Sequence, residues 1–155
     1  MCEFRNNATW AVVKTAESEE SFAILLRDTY GKGQMWTLAV PDNFPDLYKL
    51  PGKALTRIRR EFPAGGAYLE SKAGVSLFPY DNDTVILYSY VMDGAQRTHV
   101  QLHAQGVSTL HILPEPRFGP GHRGAIEPLY TTAGGESVFD LIAMPGRYTL
   151  YRLER

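Results

Sequence analysis

Four histidines, His99, His103, His111 and His122, are the side chains of this sequence best suited to proton transfer or metal binding. His99, Gln101 and His103 alternate with Val100 and Leu102, so on a strand all three polar residues share one face. Four residues of extended chain place His99 and His103 about 13 Å apart at about 3.3 Å per residue. Zinc holds an imidazole nitrogen at about 2.1 Å, so the pair does not share an ion. The cupin pattern of His-x-His with a following Glu is absent from the sequence. The expectation is exposed strand histidines and no metal.

The most unusual local stretch is Glu115-Pro116-Arg117-Phe118-Gly119-Pro120-Gly121-His122-Arg123-Gly124. Long loops on rigid sheets often carry function. Arg117, His122 and Arg123, with Glu127 beyond them, have the chemistry to hold an anion or sugar hydroxyls, and Phe118 could stack on a ring. Arg117, Phe118, His122 and Arg123 are therefore the candidate ligand-binding residues. The structural alternative is a crossover loop that packs on a neighbouring unit.

Other constellations read as structure. Asp81-Asn82-Asp83 offers oxygen ligands, but the glycine and distal glutamate of a calcium loop are missing, and Asx residues between strands form turns. Ser108 and Ser137 lack the Gly-x-Ser-x-Gly elbow of a nucleophilic serine. Cys2 is the sole cysteine. Gly31 and Gly33 lack the third glycine and following helix of a dinucleotide site. No catalytic residue and no cofactor is expected. Aromatic residues make up 12% of the chain, and exposed aromatic rings can stack on a pyranose. Tyr88 and Tyr90, at strand spacing, and Trp10 and Trp36, within strand runs, also suit ordinary sheet packing.

The elements that must position these side chains are mostly strands. Short apolar runs lie at 10–13, 22–26, 35–40, 67–70, 75–78, 84–92, 98–104, 109–113, 125–126, 129–130, 138–142 and 148–153, separated by turn residues. In the run 84–92, Val85, Leu87, Ser89 and Val91 face one way and Ile86, Tyr88, Tyr90 and Met92 the other. Asp93-Gly94 is a hairpin signal. Between Pro51 and Phe62, Leu55, Ile58 and Phe62 recur at helical spacing. Lys53, Arg57, Arg59 and Arg60 take the other faces of that helix as a solvated, dipole-matched surface. Pro63 and Gly65-Gly66 end it. The pattern predicts a mainly β fold, an antiparallel β-sandwich or open barrel with one α-helix in the N-terminal half. It divides into strands plus helix over 1–62 and a sandwich over 63–155, with packing of the two as one unit left open.

The 155 residues carry 16 Lys plus Arg and 17 Asp plus Glu, a net charge of -1. That balance excludes a protein built around nucleic acid. One cysteine excludes a disulfide framework. No apolar run approaches the roughly 20 residues of a membrane helix, and residues 1–7 do not resemble a signal peptide. No membrane association is expected, and a cytoplasmic location is.

The segment Leu26-Arg27-Asp28-Thr29-Tyr30-Gly31-Lys32-Gly33-Gln34-Met35-Trp36-Thr37-Leu38 resembles the closing strands of glutamine-amidotransferase-like domains, with Leu50 to Phe62 as the terminal helix. The remainder resembles the small C-terminal β-sandwich of glycoside hydrolases, including the β-galactosidase type. Pro145-Gly146-Arg147-Tyr148-Thr149-Leu150-Tyr151-Arg152-Leu153 is similar to the last strand of those sandwiches, and Val75 to Tyr90 to their central strand–turn–strand unit. An eight-stranded β/α barrel needs about 250 residues, so no glycosidase barrel fits, and no amidotransferase nucleophile has a counterpart here. The resemblance implies a non-catalytic accessory or assembly domain, cut from or descended from a larger protein. Its partner would be a neighbouring domain, a carbohydrate or a second copy in a homo-oligomer. A stand-alone carbohydrate-binding module is the alternative. A small cupin-like enzyme is a third reading, for which no metal or acid–base cluster is found.

Overall fold

The computed structural model describes residues 9–14, 21–38, 50–63, 66–70, 74–90, 97–114 and 124–155, with the backbone alone for 9–14, 21–24 and Tyr30. The chain starts with an antiparallel sheet of β1 (Thr9–Lys14), β2 (Ser21–Tyr30) and β3 (Gly33–Leu38), in that order. Gly31, at φ 60°, makes the turn between β2 and β3, a backbone conformation that a β-carbon disfavours. Helix α1 (Gly52–Glu61) follows, with Pro51 immediately before it.

The rest is two antiparallel sheets. β4 (Ala67–Glu70), β7 (Thr98–Gln105), β11 (Glu136–Ala143) and β10 (Tyr130–Thr131) form the first, in the order β10-β11-β7-β4. β5 (Val75–Pro79), β6 (Thr84–Ser89), β12 (Tyr148–Glu154), β8 (Thr109–Leu113) and β9 (Ala125–Ile126) form the second, in the order β5-β6-β12-β8-β9. The fold is mainly β and sandwich-like, as the alternating runs require.

The two sheets share one core. The four-stranded sheet supplies Ala67, Leu69, Val100, Leu102, Ala104, Phe139, Leu141 and Ala143. The five-stranded sheet supplies Val75, Val85, Leu87, Leu110, Tyr151 and Leu153. Cross-strand register aligns them: Leu69 and Phe139 flank Leu102, and Val85 and Ile112 flank Tyr151. Period-two alternation sends the intervening residues outward. The expected faces of β6 are the observed ones, with Val85, Leu87 and Ser89 buried. Gly146, at φ 60°, turns the chain from β11 toward β12, where Pro145-Gly146 marks a turn.

Helix α1 packs on β4 and reaches β1. Its C-terminal end carries the contact to the small sheet: the rings of Trp36 and Phe62 meet edge-on at 5.2 Å, and the Arg27 guanidinium lies 5.6 Å from the Trp36 ring centroid. The sequence boundary after residue 62 thus falls between two packed elements. The solvated basic face expected for α1 needs one correction. Arg59 is half-buried and donates from Nη2 to the Val75 carbonyl at 2.6 Å, because the edge formed by β4 and β5 lies beneath it. Arg57 keeps the surface role, paired at 3.2 Å with Glu61 one turn on. Among the described residues no helix is long and apolar enough to cross a membrane.

Candidate functional site

The outward face of the four-stranded sheet carries the densest polar cluster described. Tyr68 and His103 are directly opposite across β4 and β7, and their rings stack at 4.6 Å with 16° between planes. Glu136, opposite Gln105, sits diagonally to one side of His103. Glu70, opposite Gln101, sits diagonally to the other. Such diagonal neighbours are within reach of long side chains. Nδ1 of His103 lies 3.0 Å from Glu136 Oε1, and Nε2 lies 3.1 Å from Glu70 Oε2. The Tyr68 hydroxyl stands 3.1 Å from His103 Nδ1 and 3.4 Å from Glu136 Oε1.

The expectation of exposed strand histidines is therefore wrong for His103, which is 7% exposed. Tyr68 covers one face of its ring, and the two glutamates take its nitrogens. A ring protonated on both nitrogens donates to both carboxylates; in a neutral ring one lone pair faces a carboxylate oxygen. Burial, and next the Glu136 charge, raise the Tyr68 hydroxyl above the usual tyrosine range, with Arg60 opposing. Tyr68 thus stays a proton donor. The arrangement works as a lock across β4, β7 and β11.

His99 and His111 do lie toward solvent, and each meets a carboxylate on a neighbouring strand. His99 Nδ1 is 3.3 Å from Asp140 Oδ2, and His111 Nε2 is 2.7 Å from Glu154 Oε2. Exposed pairs of this kind contribute little to stability. No group of three or more His, Cys, Asp or Glu side chains suited to a metal occurs among the described residues. Arg117, Phe118, His122 and Arg123 lie outside the described residues, as do Cys2 and the Asp93-Gly94 turn. Of the loop candidates only Glu127 is described, and it is exposed.

Two further features were not anticipated. A cleft of about 140 Å³ opens between α1 and the β4–β5 edge, lined by Arg59, Phe62, Ala67, Tyr68, Leu69, Ser76 and Leu77. The outward face of the five-stranded sheet carries an apolar row, flanked on one side by Thr84, Arg152 and His111. Register sets Phe78, Ile86, Leu150 and Leu113 side by side across β5, β6, β12 and β8. The next row holds Ser76, Tyr88 and Tyr148. Phe78 is 42% and Tyr148 41% exposed. The rings of Tyr88 and Tyr90 meet edge-on at 4.6 Å, so Tyr88 has the sheet packing expected, while Tyr90 stays exposed. The alternation of Ile86 and Tyr88 with Val85 and Leu87 was a usable signal for this face. The cleft had no local signal.

Among known protein families no model matches this chain, and no curated protein or solved structure matches it.

Proposed function

We propose that this sandwich is a non-catalytic accessory domain of a larger glycoside-hydrolase-like protein, docking on a neighbouring domain through the outward face of its five-stranded sheet. The observation that carries the reading is the row Phe78, Ile86, Leu150 and Leu113. Outward positions of a sandwich are normally polar, and a contiguous exposed apolar patch marks an interaction surface. The row holds no charge, which suits an apolar face of a neighbouring domain.

With that neighbour missing, the isolated chain should self-associate through the same face. Sedimentation equilibrium should show concentration-dependent association, and Leu150→Glu should shift the chain to monomer without loss of β-sheet circular dichroism. A chain that stays monomeric at every concentration and binds no hydrophobic dye would count against the reading.

A second reading, a carbohydrate-binding module, rests on Tyr88, Tyr90 and Tyr148 on or beside the same face. Tyrosine joins an apolar ring to a hydrogen-bonding hydroxyl, which suits a pyranose. Calorimetric titration with a panel of oligosaccharides separates the two readings. Saturable heat that disappears in Tyr148→Ala favours the module, and no heat favours the docking face.

A further inference from the structure

The aromatic side chains of the five-stranded sheet extend past the apolar row. Alternation along β5 turns Ser76 and Phe78 outward. Tyr80 continues it, with its backbone N donating to the Thr84 carbonyl at 2.8 Å. A row of Tyr80, Thr84, Arg152 and His111 therefore runs beside that of Phe78, Ile86, Leu150 and Leu113. Tyr80 is 56% exposed, more than Phe78 beside it, while Thr84 is buried. The short threonine thus forms a floor between the longer side chains of Tyr80 and Arg152.

Arg152 is exposed and makes no ion pair among the described residues. Glu154, two positions along β12, is held by His111 at 2.7 Å, and Asp83, in the turn before β6, by Arg155 at 2.8 Å. Asp81 lies beyond the pairing of Tyr80 with Thr84, at the start of that turn.

Three features set the class of ligand. The exposed rings of Tyr80 and Phe78 offer flat apolar surface, and tyrosine adds a hydroxyl. Ser76, Tyr88 and Tyr148 place further hydroxyl-bearing side chains on the same face, which suits a partner with hydroxyls of its own. The Arg152 guanidinium adds a planar fork of donors suited to a carboxylate. A hydroxylated ring that carries a carboxylate uses all three. Tyr80 and Arg152 stand two strands apart, about 10 Å between backbones at about 4.8 Å per strand, and their side chains narrow that gap over Thr84. A single sugar ring or a short oligomer spans it.

We infer that this margin of the five-stranded sheet binds an acidic sugar, a uronate, its ring against Tyr80 and Phe78 and its carboxylate at Arg152. The inference rests on the carbohydrate-binding reading of this face and goes beyond it by fixing the charge of the sugar.

Isothermal titration of the full chain tests it, with trimers of galacturonate, glucuronate and mannuronate and with their methyl esters as neutral counterparts. At least one acid should give saturable binding, with its ester at least about tenfold weaker, the equivalent of about 1.4 kcal/mol. Arg152→Gln should bring the acid down to the level of the ester and leave the ester unchanged. Tyr80→Ala should weaken both. Should either variant misfold, the amide resonances of Tyr80 and Arg152 in the unaltered chain supply the readout, shifting with the acid far more than with the ester. Equal binding of acid and ester would overturn the inference and leave the carbohydrate-binding reading standing. No saturable response to any of the six compounds, or unchanged acid binding in folded Arg152→Gln, would overturn it as well.

Discussion

The imidazole of His103 lies flat against the ring of Tyr68, centroids 4.6 Å apart, while Glu136 Oε1 is 3.0 Å from its Nδ1. One histidine thereby ties β7 to β4 through stacking and to β11 through a charge-assisted contact. His103→Phe keeps the stack and removes both nitrogens. Leaving part-buried polar groups unmatched costs about 1–3 kcal/mol, which a urea titration would register as a lower midpoint at unchanged slope. A double-mutant cycle with Glu136→Gln should show a coupling of about 0.5–3 kcal/mol. Strict additivity would mean that the contact does not act as a lock.

Alkaline pH should weaken the fold through two tyrosines. Burial is the leading cause that raises the pKa of both Tyr68 and Tyr151. The unfolded chain then releases these protons first, near the ordinary value of about 10. The stabilisation is complete below that pH and is lost as pH rises toward and through the folded values. Thermal midpoints should be flat with respect to these groups at neutral pH and fall above about pH 10. Tyr68→Phe should make the alkaline fall shallower, and an unchanged profile in that variant would contradict the assignment.

Asp83 holds a left-handed backbone, φ 56°, in the turn before β6. Its carbonyl accepts from Leu153 N at 2.7 Å, and its side chain accepts from Arg155 Nε at 2.8 Å. Asp83→Gly loses an exposed ion pair and gains a residue at ease in this conformation. Asp83→Ala loses the pair and keeps a β-carbon there, a strain of about 1–2 kcal/mol. The glycine variant should therefore be the more stable of the two by roughly 1 kcal/mol in chemical denaturation. A more stable alanine variant would show that the turn relaxes out of the left-handed region.

The shared core and the outward face of the five-stranded sheet should respond differently to truncation. Leu102, 0% exposed between Leu69 and Phe139, should lose about 2–5 kcal/mol on change to alanine. Phe78→Ser on the outward row should stay within about 0.5 kcal/mol of the unaltered chain. A large loss at Phe78 would make that row part of the fold's own packing, and its docking role would fall.

Local patterning carried much of the fold. Period two in Thr84–Ser89 separates Val85 and Leu87 from Ile86 and Tyr88, and the observed burial follows it. Helical spacing and the flanking Pro51 and Pro63 place α1 at Gly52–Glu61, within a residue or so of the expected span. Turn chemistry at Gly31 and Gly146 reflects a backbone preference that a short stretch of sequence displays by itself.

The polar cluster was half legible. Alternation with Val100 and Leu102 puts His103 on the outward face of β7, and an outward face reads as solvent. What buries it comes from 33 residues before, at Glu70, and 33 residues after, at Glu136. Arg59 shows the same limit on a helix, where spacing assigns it to an outer face and the β4–β5 edge then covers it.

Sequence by itself therefore determined which residues extend, which turn and which side of each strand is apolar, because those properties depend on neighbours a few positions away. The tertiary structure alone decided which strands became neighbours and in what register. Register is set by packing of the whole core, since a one-residue slip would send every inward side chain to the opposite face. The His103 lock, the apolar row from Phe78 to Leu113 and the cleft over Leu69 and Leu77 all exist only in that long-range alignment.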